Sequence, residues 1–333
     1  MNVFRLLLLL GLIFSDRVHG IAGSDERPFQ GKIVFFGSRD DSSSLIQTMS
    51  PDGKGLKTVL KLEEGIVSGR VSPDGRQLAF SLNPTGSKRL EVWLLNAGGV
   101  RRKIADRGFV RAWSPDGGKI ACYAPAQKGG WESFTVSVAT NEIRPLPIPK
   151  TDAVEDWSPD GRLLSVMAGN VEKTFRHSTK GTYPLRQIYL MKVDGSERQM
   201  LTPESFYDSI WSRFSPDGTR VAHYRREHPN DRQSPFESLM IRQRDGSHPT
   251  KVLNFAEYVD EQISVRPYGF PSWSPDGRSL VWIADRRRRD RRDLVPGKRI
   301  EYDLFFVSIE NRTARMVVLD QKGINRWGQL DWR

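Results

Sequence analysis

Short runs of alternating apolar and polar residues recur along most of the chain, each bounded by turn-forming residues. Six of these runs align. They are Lys32-Ile33-Val34-Phe35, Gln77-Leu78-Ala79-Phe80, Lys119-Ile120-Ala121-Cys122, Leu163-Leu164-Ser165-Val166, Arg220-Val221-Ala222-His223 and Ser279-Leu280-Val281-Trp282. The second residue is aliphatic in all six, and the last is usually bulky. That period of two is the signature of a β-strand. Five of the runs follow one pentapeptide: Val71-Ser72-Pro73-Asp74-Gly75, Trp113-Ser114-Pro115-Asp116-Gly117, Trp157-Ser158-Pro159-Asp160-Gly161, Phe214-Ser215-Pro216-Asp217-Gly218 and Trp273-Ser274-Pro275-Asp276-Gly277. Pro presets φ, Asp bonds the backbone just beyond it, and Gly takes the positive φ that other residues resist. An apolar residue before such a turn and a strand after it make a hairpin.

Each unit then continues through a further apolar strand, a second turn and a short last strand. The second turns are Pro51-Asp52-Gly53, Ala97-Gly98-Gly99, Thr140-Asn141, Val193-Asp194-Gly195, Arg244-Asp245-Gly246 and Glu310-Asn311. Four short strands per unit, repeating every 42 to 59 residues, describe a propeller blade. The expected fold is all-β: a six-bladed β-propeller with four-stranded blades. The chain ends predict how it closes. Gly31 to Phe35 match a strand that follows the repeated turn, and Gln329 to Trp332 match a strand that precedes one, with Trp332 in the column of Trp113, Trp157 and Trp273. The N- and C-terminal strands should therefore share one blade and remove an open sheet edge.

The pentapeptide units resemble the TolB-type propeller repeat, which is related in style to WD repeats, over nearly all of 31–332. TolB itself carries an α/β domain before its propeller, which nothing in this sequence matches. The resemblance implies a role in envelope protein assembly or transport through protein contacts. Similar propellers precede serine peptidases of the prolyl oligopeptidase group, but no Gly-x-Ser-x-Gly elbow occurs in this sequence.

Residues 1–20 read as a secretory signal, with Arg5 ahead of the apolar run from Leu6 to Phe14. Residues 21–30 read as a linker and 31–333 as the propeller, so the expected location is periplasmic or secreted. The single cysteine rules out an intrachain disulfide framework. Stability must then come from packing, for which nine Trp and sixteen Phe are available.

The net charge is +11. Much of the excess lies between the second and third strands of the last three units, in segments expected to be long loops: Gly169 to Arg186, Arg226 to Glu237 and Asp285 to Tyr302. Long loops on a rigid scaffold commonly carry function. The expected partner-binding set is Arg286, Arg287, Arg288, Arg289, Arg291 and Arg292 with Arg225 and Arg226. It suits an acidic protein, an anionic glycan or lipid headgroups rather than nucleic acid, for which no recognition module is visible. A second candidate is the channel mouth. Residues just before the bulky anchors of the innermost strands should face it, giving a mixed-charge ring of Arg70, Arg111, Asp156, Arg213 and Asp331.

Catalytic chemistry finds little footing. His223 and Cys122 fall in the buried column with Phe80, Val166 and Trp282, and His177, His228 and His248 lack metal-ligand spacing. No phosphate loop or dinucleotide fingerprint appears. The Asp of each pentapeptide serves the turn. No catalytic residue, cofactor or metal ligand is therefore expected. The reading is a monomeric, non-enzymatic binding scaffold that works through the face with the basic loops. The rival reading is a carbohydrate-active or lactone-cleaving enzyme that uses the channel mouth.

Overall fold

The computed structural model describes residues 27–39, 43–84, 87, 89–127, 129–177, 181–204, 207–227, 237–255, 263–288, 301–318 and 324–332. The expected leader, 1–20, lies outside them. The described residues form six antiparallel sheets of four strands, each a meander, arranged as a propeller. Ring closure is as expected. Ile324–Trp332 is the innermost strand of the first blade and pairs with Ile33–Arg39, matching Ile33 to Trp332, Val34 to Asp331 and Phe35 to Leu330. The other innermost strands are Gly65–Val71, Phe109–Trp113, Ala153–Trp157, Tyr207–Phe214 and Ile263–Trp273.

The pentapeptide builds the same network in all five blades that carry it. In blade two, the Ser72 hydroxyl donates to Asp74 Oδ1 at 2.6 Å and accepts from Gln77 N at 2.9 Å, while Arg76 N donates to the same carboxylate oxygen. Gly75 N closes the turn on Ser72 O, with Gly75 at φ 72°. The turn thus satisfies its own backbone and hands the chain on in strand register.

Strand alternation divides each sheet between two cores. Ile33 and Phe35 pack with Val281, Ile283 and Leu304 of blade six. Their neighbours Val34 and Phe36 pack with Val71, Leu78 and Phe80 of blade two. Six such clusters fill the spaces between blades, which is why these strands are apolar on both faces. Phe29, fully buried, belongs to the cluster between blades one and two, and its N–H donates to Gly75 O. The propeller therefore begins before residue 31, and the last part of the expected linker is packed against it.

Among the described residues, parts of two expected loops are strands instead. In blade four the strands Leu163–His177 and Gly181–Lys192 stay paired past the blade, from Gly169 opposite Arg186 to His177 opposite Gly181. In blade six Asp285 lies opposite Tyr302 and Arg286 opposite Glu301. Runs such as Thr174-Phe175 and Thr182-Tyr183 favour extended backbone once they meet across a hairpin. Charge and glycine content alone give no sign of that pairing.

Candidate functional site

A cavity of about 510 Å³ opens at the centre of the ring on the side of the pentapeptide turns. Its rim carries all five turn prolines, Pro73, Pro115, Pro159, Pro216 and Pro275. Where blade one lacks such a turn, Gln30 and Gly31 take its place. Just inside stand Trp113, Trp157, Trp273, Trp332 and Phe214, the bulky anchors of five innermost strands. The residue before the anchor in each blade forms the next ring down: Arg70, Ala112, Asp156, Arg213, Ser272 and Asp331.

Bulges in the innermost strands explain why these residues reach the axis. Arg111 is an extra residue between the pairs Val110 with Cys122 and Ala112 with Ala121, and Glu155 is its counterpart in blade four. Blade five inserts Trp211, at φ 61°, together with Ser212. In blade six Gly269, Phe270 and Pro271 together oppose Trp282. A bulge bends a strand and re-aims its side chains. Here it turns successive residues toward the channel.

The charged side chains of this ring brace one blade to the next. Arg70 Nη1 lies 2.9 Å from Asp331 Oδ1 and 3.2 Å from Leu330 O, and its Nε donates to Arg111 O. Asp331 Oδ2 accepts from Val71 N at 2.9 Å, and Oδ1 accepts from the Ser272 hydroxyl at 3.3 Å. Asp331 thus holds blades one, two and six together. Across the ring, Asp156 accepts from Phe214 N and lies 3.7 Å from Arg213 Nη1. Glu155, fully buried, accepts from Trp211 N, Ser212 N and the Ser212 hydroxyl. Burial pushes its carboxyl above the usual range, against the lowering effect of those donors and of Arg111. Trp113 and Trp273 each donate from the indole to the inner strand of the preceding blade, at Arg70 O and Arg213 O.

Phe270 lies where these side chains converge. The guanidinium carbons of Arg213, Arg111 and Arg70 sit 3.8, 4.7 and 5.8 Å from its ring centroid, from three different blades. At 2% exposed, the ring occupies the channel axis beneath the cavity floor.

The structure thus unites the expected channel-mouth residues Arg70, Arg111, Asp156, Arg213 and Asp331 around one axis. It separates them from the basic set. The long hairpins leave the second and third strands of their blades at the end opposite the pentapeptide turns, so the mouth cavity and the hairpins occupy opposite faces. Arg286, Arg287 and Arg288 lie on the strand Ser279–Arg288, opposite Val265, Ser264 and Ile263. Arg289, Arg291 and Arg292 lie outside the described residues. Arg226 pairs with Glu237 at 3.3 Å and donates to Tyr224 Oη, and Arg225 stacks over Tyr207 at 4.5 Å. Both are strand residues engaged with their own blade.

Among the described residues, no group of three or more His, Cys, Asp or Glu is placed to hold a metal ion. Cys122 is buried, and desolvation raises its thiol pKa, as suits a packed side chain. His223 is buried too, with desolvation and Arg242 holding it down at about 3. Phe270 and Gln30 are the site residues that the repeat alignment passes over. Bulge length, which brings in Phe270, leaves no mark in that alignment.

Comparison with known proteins bears on the fold. No curated protein matches the chain. TolB from Acinetobacter baumannii is similar in structure at a TM-score of 0.65 and 20% identity, over 91% of this chain and 67% of that one. The putative TolB from Agrobacterium tumefaciens gives 0.57 and 17%, over 86% and 88%. Hydrazine synthase from Kuenenia stuttgartiensis gives 0.50 and 12%, over 90% and 98%. The TolB beta propeller domain family matches residues 21–291. With six blades, the repeated turn and this match in place, the chain belongs to the TolB beta propeller domain family.

Proposed function

We propose that this protein is an exported, non-enzymatic binding scaffold of the cell envelope that takes a partner protein at the channel mouth. The reading rests on the state of the carboxylates around the channel. Asp156, Asp331 and Glu155 are each committed to backbone amides or arginines of neighbouring blades, which suits bracing rather than acid–base chemistry. Above them the collar of proline and tryptophan offers rigid apolar surface around a polar floor, the usual make-up of a recognition site. Likeness of fold to TolB supports a role in assembly or transport through protein contacts, and the leader expected at 1–20 supports export.

The binding surface proposed here is therefore the turn face rather than the hairpin face. The test is a pull-down from envelope extract with three proteins: wild type, Gln30→Trp at the rim, and a variant with Arg286 to Arg289 changed to serine. Loss of the same partner from the rim variant alone is expected. Retention by the rim variant with loss from the serine variant would return the partner to the hairpins.

A further inference from the structure

Stacking against Phe270 leaves a specific need unmet. A guanidinium laid on an aromatic ring uses its face, while its N–H groups point outward in its own plane. Arg213 is 4% exposed and lines the cavity. Its Nη1 is taken by the carbonyls of Glu155 and Ser212. Its Nε and Nη2 have no hydrogen-bond partner. These two donors form one edge of the guanidinium, the parallel fork that matches the two oxygens of a carboxylate. Arg111, 8% exposed and 4.7 Å from the same ring, donates from Nη2 to Tyr123 Oη and has Nε and Nη1 without partners. Four charged-group donors, nine-tenths buried and grouped around one ring, are thus without an acceptor.

The charge around them limits what acceptor fits. Arg70, Arg111 and Arg213 face Glu155, Asp156 and Asp331, so the floor is close to neutral when all six are ionised. Burial raises the Glu155 carboxyl above its ordinary range, against its three hydrogen-bond donors. Asp156 and Asp331 line the same cavity and repel a dianion.

We infer that the channel floor is a recognition site for a monoanionic carboxylate, gripped on the free edge of Arg213. This deepens the reading above by naming the group that the mouth selects. The carboxylate arrives either on an acidic side chain of a polypeptide or as a small organic acid.

The test titrates intact protein and follows the tryptophans that line the cavity. The probes are acetylated, amidated tripeptides Gly-Asp-Gly, Gly-Asn-Gly and Gly-phosphoserine-Gly, with N-acetylglycine as the small acid. The Asp tripeptide is expected to bind at least about tenfold more tightly than the Asn tripeptide, about the effect of losing one charge-assisted hydrogen bond. Arg213→Lys, which keeps the charge and removes the fork, is expected to weaken the Asp tripeptide by a similar factor and leave the Asn tripeptide unchanged. Preference for the Asp tripeptide over N-acetylglycine assigns the carboxylate to a polypeptide, and the reverse assigns it to a small acid. Equal affinity for Asp and Asn probes in wild type, no binding of any probe, or tighter binding of the phosphoserine probe would overturn the inference. Equal Asp and Asn affinity beside a rim-dependent pull-down would remove this site and leave the scaffold reading standing.

Discussion

Asp331 is the side chain through which ring closure is most exposed to measurement. It is 3% exposed, sits on the last strand, and serves Arg70, Val71 N and Ser272 on two neighbouring blades. Asp331→Ala strands the Arg70 guanidinium in a buried site and orphans the Val71 amide. Removing one partner of a buried pair costs about 3–5 kcal/mol, because the remaining charge is left uncompensated. With a urea slope of about 3 kcal/mol per M, the unfolding midpoint should fall by about 1 to 1.7 M. The assay is urea denaturation followed by circular dichroism for wild type, Asp331→Ala, Arg70→Met and the double variant. Groups in direct contact couple by about 0.5–3 kcal/mol, so the double variant should lose less than the sum of the singles. A loss below about 1 kcal/mol for Asp331→Ala, or strict additivity, would refute the idea that this pair locks the last strand to blade two.

Other outcomes follow from the same structure. A Cβ at Gly69 would lie 2.2 Å from Phe36 Cζ and 3.0 Å from the Ala79 carbonyl oxygen, so Gly69→Ala should cost about 1–3 kcal/mol in the same urea assay. His223, held at about 3 against an ordinary 6.5 by desolvation and then by Arg242, is neutral when folded and takes up a proton only on unfolding. Its folded pKa is depressed, so stability falls as pH drops from 6.5 toward 3, and His223→Leu should gain about 2–3 kcal/mol on wild type between pH 7.5 and 4.5. Asp160 is held at about 2. Burial acts to raise it and is outweighed by the Ser158 hydroxyl, Arg162 N and Arg244, so the carboxylate's stabilisation is lost between about pH 4 and 2. Arg244→Gln, which removes the 2.7 Å contact to Asp160 Oδ2, should shift that loss to higher pH, as read from the carboxyl chemical shift.

How much of this was legible beforehand depends on the range of the interaction concerned. The turns are local: Ser72, Asp74 and Gly75 satisfy one another within a few residues, so their repetition marks the blades directly. Closure was legible because Trp332 shares a column with Trp113 and Trp273, and the strand beside it continues the repeat. Counting back from those anchors also found Arg70, Asp156, Arg213 and Asp331. The pairing of Arg70 with Asp331 spans 261 residues, and no local pattern encodes it. Phe270 was hidden because three residues bulge opposite Trp282, which breaks the period of two on which the alignment depends. The face of the mouth depends on where the arginines and Phe270 meet on the axis, a property of the assembled ring. Phe29 looked like linker because the core it fills is completed by Phe36 and Leu78 from two different blades.

Site-specific photo-crosslinking in cells bears most directly on the channel mouth as the binding surface. A photoreactive residue is placed at Gln30 or Pro159 on the rim, and at Val100, 64% exposed, away from the cavity. Both rim positions should trap the same protein, and Val100 should not trap it. A partner trapped from Val100 but from neither rim position would contradict the account.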